Sequence, residues 1–488
     1  MMSERPNIVL ICVDQWRGDC LSALDHPVVQ TPYLDQLTTE GATFLRAYSA
    51  SPTCIPARAA LLTGLSARNN GRTGYKDGVP WDYPVTIASE FTRQGYQTQA
   101  IGKMHVYPER SQMGFQNVIL HDGYLHFARR RDRDISLVDD YIPWLREKTG
   151  DPRADYFDHG VNCNSQVARP WDKAEELHPT NFIVTQAADF LRRRDPRKPF
   201  FLYLGFHRPH PPYDPPAWAY EMYKDAEMPE SPEGDWVNEV IAPHYTPHRP
   251  DPSAGKLSPA AHRRARAGYY GCMSHIDHQI NRFYETLHEF RQRDNTYICF
   301  VSDHGELLGD HNLWRKSLPY EGSARIPFLL RGPSGSGIQP GKRISSEAVV
   351  ELRDVMPTLL DCAGLEIPDG LDGRSVLPFA RGESVQDWRP VLHGEHPWGG
   401  QSVQWLTDGR EKYIWWSGTG REQLFQLEND PEERTDLARQ PEYAERLTAW
   451  RSWLVETLEG REEGFVNEGK LVTGRPVRPV LTSVLGKV

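Results

Sequence analysis

The sequence has no long hydrophobic run and no excess of positive charge, and each absence excludes a class of protein. Its apolar runs at residues 8–13 and 200–206 fall far short of the ~18 residues that a membrane helix requires. The 56 Lys and Arg residues are outnumbered by 66 Asp and Glu, giving a net charge of −10. Non-specific nucleic-acid binding needs the opposite balance. We therefore expect neither a membrane nor a nucleic acid as a partner.

Cysteine is scarce and unpaired in the sequence. There are seven cysteines, an odd number with no Cys-x-x-Cys pair, at positions 12, 20, 54, 163, 272, 299 and 362. A disulfide framework is therefore not expected, and a reducing compartment fits the pattern better. The first apolar run follows a glutamate and ends at Asp14 rather than at a small-residue cleavage site, so no secretory signal is predicted. We expect a cytoplasmic protein.

Short apolar runs alternate with helical patterns, which predicts an α/β fold with a large, mixed but mostly parallel sheet flanked by helices. Strands are predicted at residues 7–13, 43–50, 97–101, 199–206, 296–301 and 325–330, and helices at 33–40, 56–62, 86–95, 180–194, 259–291 and 352–363. From residue 383 the sequence changes to aromatic, strand-like pieces and one helix at 442–458. We therefore divide the chain into a catalytic domain, 1–382, and a smaller α+β domain on an antiparallel sheet, 383–488, with an extended terminal arm.

Four polar clusters stand directly after four of the predicted strands. They are Asp14 with Gln15, Lys103 with His105, His207 with His210, and Asp303 with His304. Each cluster alone could be an ordinary turn. In an open parallel sheet, however, ligands bind outside the carboxyl ends of the strands. If the four strands are neighbours, the clusters converge on one site.

The first and last of these clusters offer ligands for a metal ion. Asp14, Gln15, Asp303 and His304 supply two carboxylates, an amide oxygen and an imidazole, a set that suits Ca²⁺, Mg²⁺ or Mn²⁺. The histidine favours Mn²⁺, whereas an all-oxygen cage is more typical of Ca²⁺ or Mg²⁺. Structural zinc is not expected, because no thiolate pair has zinc spacing.

The sharpest motif is Cys54-Ile55-Pro56-Ala57-Arg58. The composition of the chain predicts only about 0.06 chance matches to Cys-x-Pro-x-Arg. Pro56 marks the first turn of a helix, which places Cys54 at the amino end, where unpaired amides and the helix dipole favour an anion. Arg58 adds a guanidinium group, which is always positively charged and can bind an anion through paired N–H donors. The alternative, a buried structural cysteine before a helix, describes most isolated cysteines.

This motif, continued by the AALLTG of residues 59–64, resembles the signature of the type I sulfatases of the alkaline phosphatase superfamily. Further matches are Pro6-Asn7-Ile8-Val9, Gly102-Lys103-Met104-His105, Ser302-Asp303-His304-Gly305, Gly309-Asp310-His311, Trp314-Arg315-Lys316, and Leu424-Phe425 through Asp430-Pro431 to Leu437. The resemblance covers about residues 5–440. It implies an alkaline phosphatase-like fold and a formylglycine-dependent enzyme resembling the arylsulfatases.

In this family a separate maturation enzyme oxidises the motif cysteine to formylglycine, whose hydrated aldehyde attacks sulfur with one hydroxyl and expels sulfate with the other. By position, the resemblance makes the modified Cys54 the nucleophile and also a metal ligand. The other implied ligands are Asp14, Gln15, Asp303 and His304. Many members have Asp in place of Gln15 and Asn in place of His304. We expect one divalent cation, Ca²⁺ ahead of Mn²⁺ or Mg²⁺.

The resemblance also assigns roles to positively charged residues and histidines. Lys103 and Lys316 would bind the non-bridging oxygens of the ester, and His105 would support the nucleophile. His210 would protonate the leaving oxygen as a general acid, with His207 as its rival. For three other histidines, His311, His393 and His396, there is no comparable argument for a role in the reaction.

The function expected from this set is hydrolysis of a small aryl or sugar sulfate ester. A phosphonate monoester hydrolase or phosphodiesterase is the alternative on the same fold, favoured by the Asp-Gln and Asp-His pairs. Those relatives tend to have uncharged hydroxyl residues where this chain has Lys103 and His105. A choline sulfatase is a second alternative, supported by residues 314–325. A non-catalytic anion-binding protein is a weaker reading, because the nucleophile, metal, lysine and histidine sets are complete.

The substrate itself is not named by any motif. We expect its pocket to be walled by residues 71–81, by residues 120–179 and by the terminal arm, which carries Gly474, Pro476 and Pro479. The arm could also reach a neighbouring subunit, so a homo-oligomer is a further expectation.

Overall fold

The apolar runs of the sequence become the strands of an eight-stranded mixed sheet. A computed structural model of the chain describes residues 5–125, 134–156, 160–246, 252–345 and 348–486. In chain order the strands are β1 (Asn7–Asp14), β2 (Ala42–Phe44), β3 (Ala47–Tyr48), β4 (Gln97–Gly102), β5 (Asn117–Leu120), β6 (Phe200–Pro209), β7 (Thr296–Ser302), β8 (Phe328–Arg331), β9 (Lys342–Ile344), β10 (Val350–Glu351), β11 (Leu392–Trp398), β12 (Gln401–Thr407), β13 (Glu411–Trp416), β14 (Glu422–Gln426), β15 (Val466–Asn467) and β16 (Lys470–Leu471).

The helices lie between these strands. In chain order they are α1 (Pro32–Glu40), α2 (Cys54–Thr63), α3 (Ala67–Asn70), α4 (Ile87–Arg93), α5 (Tyr141–Thr149), α6 (Pro179–Arg193), α7 (Ala217–Glu221), α8 (Val237–Val240), α9 (Pro259–Glu289), α10 (Glu321–Ala324), α11 (Val355–Cys362), α12 (Leu377–Ala380), α13 (Ala444–Leu458) and α14 (Thr482–Leu485). Within the described residues, no helix combines the length and apolar character needed to cross a bilayer.

The main sheet has the order β5-β4-β6-β1-β7-β8-β2-β9. Its first five strands run parallel, and β8 is antiparallel to both of its neighbours. The even-numbered residues of β1 (Ile8, Leu10, Cys12) pack into one core, and the odd-numbered ones (Val9, Ile11, Val13) into another. Both faces of the sheet are therefore covered, which explains why its strands are continuous apolar runs. The predicted α/β class is confirmed.

The C-terminal region forms a second, antiparallel sheet in the order β11-β12-β13-β14. Helix α13 packs Leu447, Trp450 and Leu454 against one face of it, beside Trp415. This agrees with the predicted smaller α+β unit, while the division at residue 382 stays a prediction. All seven cysteines lie within the described residues, and none is in a disulfide bond.

Some predicted elements have different bounds in the structure. The strand predicted at 43–50 is two short strands, β2 and β3, in separate sheets. The strand predicted at 325–330 begins only at Phe328, because Pro327 has no N–H to donate to a ladder. Strands β5 and β11 and helix α5 were not predicted, since their sequences show little periodicity. Part of the predicted wall at 120–179 lies outside the described residues.

Candidate active site

The four polar clusters predicted from the sequence meet at one edge of the main sheet. Strands β4, β6, β1 and β7 are consecutive neighbours and parallel, so their carboxyl ends lie side by side. Asp14, Cys54, Asp303 and His304 are all buried there, with one ligand atom of each within 4.8 Å of the others. The expected convergence is therefore present, and α2 adds the cysteine to it.

Cys54 occupies the first turn of α2, as the position of Pro56 predicts. The helix begins at Cys54 and ends before Gly64, which has a φ of 70° and serves as a left-handed cap. The Cys54 Sγ lies 3.8 Å from each carboxylate oxygen of Asp14 and 3.3 Å from His304 Nε2. Burial, followed by the Asp14 charge, raises the pKa of the thiol to about 11. The motif cysteine thus faces the carboxylate and imidazole ligands directly.

The donor set around Cys54 fits a divalent cation. His304 donates its Nδ1 hydrogen to the Gly305 carbonyl at 2.9 Å, which leaves the Nε2 lone pair free to bind metal. That Nε2 lies 3.5 Å from Oδ1 of Asp14 and 3.5 Å from Oδ1 of Asp303. Two buried carboxylates and an imidazole suit a hard or borderline ion. The group could therefore hold a metal.

Gln15 is held beside this group with its amide in one orientation. Its backbone has a φ of 74° and donates N–H to Oδ1 of Asp303 at 3.1 Å. The side-chain amide donates Nε2 to Glu306, and its Oε1 accepts from Lys316 Nζ at 2.5 Å. Lys316 and Gln15 are thus joined at the site. Glu306 was not predicted as a site residue, although it follows the matched Asp303-His304-Gly305 directly.

The Arg58 guanidinium binds groups of the site itself instead of being exposed to an incoming anion. Its Nε and Nη2 both lie 2.9 Å from Oδ2 of Asp303. Its Nη1 donates to the Lys103 carbonyl at 2.9 Å and to the Tyr203 hydroxyl at 2.7 Å. The guanidinium therefore fixes a candidate metal ligand and the end of β4 at once. Tyr203 was not predicted, because nothing in an apolar strand marks one hydroxyl.

Lys103 is placed by a close approach of two strands. Its N–H donates to the Gly205 carbonyl at 2.8 Å, and a Cβ on Gly102 would lie 2.1 Å from that oxygen. The Lys103 Nζ forms an ion pair with Asp14 and lies 3.9 Å from the Cys54 Sγ. Burial opposes charge on both partners, but their attraction raises the pKa of Lys103 and holds the pKa of Asp14 well below its usual value. Asp14 is therefore ionised.

His207, within β6, and His210, directly after it, differ in how their rings are held. His210 bonds through Nδ1 to the Pro211 carbonyl at 2.8 Å, and its Nε2 has no hydrogen-bond partner among the described residues. His207 accepts at Nδ1 from the Arg208 guanidinium. Tyr124, which the sequence analysis also missed, stacks on His210 with centroids 5.4 Å apart. Burial lowers the pKa of both imidazoles.

His105 is buried at the same edge of the sheet. The Asp122 carboxylate accepts the backbone N–H groups of Met104 and His105, each at 2.8 Å. The Tyr75 and His105 rings form a T-shaped pair with centroids 5.8 Å apart. Neither Tyr75 nor Asp122 carried a sequence signal, because both lie in loops without periodicity.

The three other histidines named in the sequence, His311, His393 and His396, form hydrogen bonds in different parts of the fold. His396 on β11 bonds to the hydroxyl of Thr53, the residue before Cys54, at 2.9 Å. It supports the start of α2, a role the sequence did not suggest. His311 accepts from the Gly234 N–H at 3.2 Å, and His393 bonds to Gln404 at 2.7 Å.

Comparison with known families shows which family the chain belongs to. A family model described as Sulfatase matches residues 6–365. This chain belongs to the sulfatase family. A second model, described as N-sulphoglucosamine sulphohydrolase, C-terminal, matches residues 309–459 of the sulfatase.

Individual relatives agree with this membership. The sulfatase is 49% identical to an arylsulfatase of Clostridium perfringens, over 97% of this chain and 98% of the relative. It is 31% identical to a choline-sulfatase of Rhizobium meliloti, over 90% of this chain and 84% of the relative. Among solved structures, the phosphonate monoester hydrolase of Agrobacterium radiobacter matches with a TM-score of 0.77 and 26% identity, over 97% and 100% of the two chains. The sulfatase is therefore a sulfuric ester hydrolase of the alkaline phosphatase superfamily.

Proposed function

We propose that this sulfatase cleaves small aryl or sugar sulfate monoesters, aryl sulfates first, with the oxidised side chain of Cys54 as nucleophile. The observation that carries the proposal is the Cys54 Sγ, 3.3 Å from His304 Nε2 and 3.8 Å from the Asp14 carboxylate oxygens. The 49% identity to an arylsulfatase favours the aryl class.

The proposed nucleophile is formylglycine, produced from Cys54 by a separate maturation enzyme. A hydrated formylglycine supplies two hydroxyls, one to attack sulfur and one to expel sulfate, whereas a thiol or alcohol would be left as a stable ester. The setting supports an oxygen nucleophile of this kind. Cys54 begins a buried helix, so the amides of the first turn favour negative charge at its side chain.

We propose that Asp14, Gln15, Asp303 and His304 hold one divalent cation, Ca²⁺ ahead of Mn²⁺ or Mg²⁺. Such a cation supplies positive charge that lowers the pKa of a nucleophile and stabilises the transition state. The tautomer of His304, fixed by the Gly305 carbonyl, supports its role as a ligand. The predominance of oxygen donors supports Ca²⁺.

Lys103 and Lys316 are the groups we assign to the sulfate oxygens. Both amines already stand at the cluster, Lys103 on Asp14 and Lys316 on Gln15. A bound sulfate ester brings negative charge between them, and fixed cations in a buried site stabilise developing charge without reorganisation. Arg58 would support this arrangement indirectly by holding Asp303, and His105 would support the nucleophile.

His210 is the group we assign to protonate the leaving oxygen. Its Nδ1 carries a hydrogen toward the Pro211 carbonyl, so Nε2 is the atom that can take up and release a proton. His207 accepts from Arg208 at Nδ1, and because arginine only donates, His207 must be neutral with its hydrogen on Nε2. A Cβ at Gly123 would lie 2.4 Å from that Nε2. The Gly123 backbone therefore lies against Nε2 of His207. This contact further favours His210 over His207 as the general acid.

Two related functions remain as alternatives. Phosphonate monoester hydrolysis is supported by the likeness to the Agrobacterium enzyme, and choline sulfate hydrolysis by the likeness to the Rhizobium enzyme. Lys103 and His105, both buried at the cluster, favour sulfate esters. A hydrolysis panel on formylglycine-bearing enzyme separates the three, with aryl and sugar sulfates compared against choline sulfate and phosphonate monoesters. We expect the highest kcat/KM for aryl sulfates; a preference for phosphonates would contradict the proposal.

We propose a cytoplasmic setting, supported by seven cysteines without a disulfide bond. Small monosulfates that enter the cytoplasm would then be the substrates. Fractionation of the native host, with the sulfatase traced by antibody, tests this; recovery outside the cytoplasm would contradict it. Assembly into a homo-oligomer stays a prediction, which light scattering can test.

A further inference from the structure

The C-terminal residues fold back onto a loop that borders the active site. We call residues 478–485 the C-terminal strap. Three backbone hydrogen bonds join it to residues 71–74: Thr73 and Gly74 donate to the Pro479 carbonyl at 3.2 and 3.1 Å, and Leu481 donates to the Gly71 carbonyl at 2.8 Å. The expected terminal arm therefore lies against its own chain.

Glu462 anchors the strap to the body of the protein. Its Oε1 accepts from the Thr482 N–H at 2.9 Å and its Oε2 from the Ser483 N–H at 2.7 Å. Arg478 adds an ion pair at 3.1 Å. One carboxylate thus accepts the first N–H groups of α14 and holds the strap from a second side. Substitution of Glu462 is therefore expected to release the strap.

The packing between strap and loop is also tight. A Cβ on Gly71 would lie 2.7 Å from Leu485 of the strap, and on the other side of the loop a Cβ on Gly74 would lie 2.5 Å from Pro397 of β11. The Thr73 hydroxyl donates to the Arg478 carbonyl. The loop is therefore fixed on both sides immediately before Tyr75.

Tyr75 is the first residue beyond the fixed stretch, and it reaches the active site. The residue is 41% exposed, yet its ring forms a T-shaped pair with the His105 ring, with centroids 5.8 Å apart. Tyr124 stacks on His210 at 5.4 Å, with the Lys103 Nζ 5.7 Å from its centroid. Each of the two aromatic rings therefore contacts one of the histidines assigned to the reaction.

An ester whose sulfate lies at Cys54 must direct its organic group away from the buried cluster. Lys103, His105 and His210 are buried beside Cys54, whereas Tyr75, which packs against His105, is exposed. Aromatic pairs gain energy beyond the area they bury when edge-to-face or offset geometry is available. A half-exposed ring held at a fixed position offers this contact to a flat organic group.

We propose that Tyr75 is a specificity-determining residue that contacts the organic group of the substrate, and that the C-terminal strap positions it. The inference rests on the proposed function, since it places the sulfate at Cys54. The strap is then part of the substrate site, although its own residues lie far from Cys54 in the sequence.

The test uses full-length, formylglycine-bearing enzyme with Tyr75→Ala, Tyr75→Phe and Glu462→Ala. Glu459→Ala is the matched control, an exposed carboxylate three residues before the anchor. The readouts are KM and kcat for 4-nitrophenyl sulfate, the inhibition constant of inorganic sulfate, and the rate of amide hydrogen exchange in residues 478–485.

We expect Tyr75→Ala to lower kcat/KM by about 3- to 10-fold, through KM. Tyr75→Phe keeps the ring and should keep the wild-type KM. Glu462→Ala should speed amide hydrogen exchange in the strap, because it removes the acceptor of the Thr482 and Ser483 N–H groups, and it should raise KM in the same way. The inhibition constant of inorganic sulfate should not change in any variant, because sulfate lacks the organic group.

The proposal is overturned if Tyr75→Ala leaves KM unchanged, or if Glu462→Ala speeds hydrogen exchange in the strap without raising KM. Should Glu462→Ala fail to fold, Glu462→Gln takes its place, since it loses the Arg478 ion pair and one of the two acceptors for the strap amides but keeps the other. A wild-type enzyme that hydrolyses no sulfate ester would refute the proposed function instead. Calorimetry of 4-nitrophenyl sulfate binding to Cys54→Ala, with and without Tyr75→Ala, then still judges the inference: equal affinities refute it.

Discussion

Replacing Arg58 by lysine should weaken both the fold and the active site, although the positive charge is kept. The guanidinium is fully buried and makes contacts in three directions, to Asp303, to the Lys103 carbonyl and to the Tyr203 hydroxyl. A lysine amine is a compact point charge on a flexible stem and cannot reproduce that fork. At least two of these buried acceptors would lose a charged donor.

The magnitude follows from those lost contacts. A hydrogen bond to a charged group contributes about 1.5–3 kcal/mol, and the lysine recovers part of one, so we expect a net loss of about 2–4 kcal/mol in the free energy of unfolding. Positioning of Asp303 should suffer too. Loss of a residue that orients a metal ligand typically costs about 10- to 100-fold in metal affinity or activity.

Urea denaturation and aryl sulfatase kinetics on the same preparations measure both effects. Arg193→Lys is the matched control, because Arg193 pairs with Asp189 in an exposed ion pair that contributes less than about 0.5 kcal/mol. If Arg58→Lys shifts neither the urea midpoint nor kcat/KM beyond the change seen in Arg193→Lys, the reasoning about the buried fork is refuted.

Four further outcomes are expected. Cys54→Ala should abolish turnover with an unchanged circular dichroism spectrum; substantial residual activity would refute the nucleophile. His210→Ala should slow esters of poor leaving groups more than activated aryl esters, and equal losses would argue against a general acid. Exhaustive chelation should remove activity and lower the melting temperature, with both restored by Ca²⁺; full activity after verified metal removal would exclude the cation site. Burial raises the pKa of Asp277 to about 7, so the folded protein binds a proton there more tightly than the unfolded chain does. The free energy of unfolding should therefore decrease as the pH rises from 4 to 7, by up to about 1.4 kcal/mol per pH unit. Urea titrations should show this slope in the wild type and not in Asp277→Asn.

The sequence predicts the core of this site because parallel strands have a simple geometry. Asp14, Lys103, His210 and Asp303 each follow a strand, and the four strands prove to be neighbours. Once that order holds, their side chains must share one edge of the sheet. The helix carrying Cys54 is equally predictable, from Pro56 at its first turn and Gly64 at its end.

What the sequence could not predict are contacts between distant loops. Tyr75 reaches His105, and Tyr124 covers His210, yet both stand in stretches with no periodicity. Arg58 could be expected to present its charge to an anion, but the fold brings Asp303 within 2.9 Å, and the ion pair forms there. Partner choice among buried charges depends on tertiary distances, which residue spacing does not contain.

Catalysis by this sulfatase depends most on the chemical state of residue 54, and one measurement tests that dependence directly. The sulfatase is expressed with graded amounts of a formylglycine-generating enzyme, and each preparation is divided between mass spectrometry of the peptide carrying residue 54 and an aryl sulfate assay. We predict that kcat per molecule rises in proportion to the fraction of formylglycine and extrapolates to zero without it. Undiminished activity in a preparation whose Cys54 is entirely thiol would contradict the account.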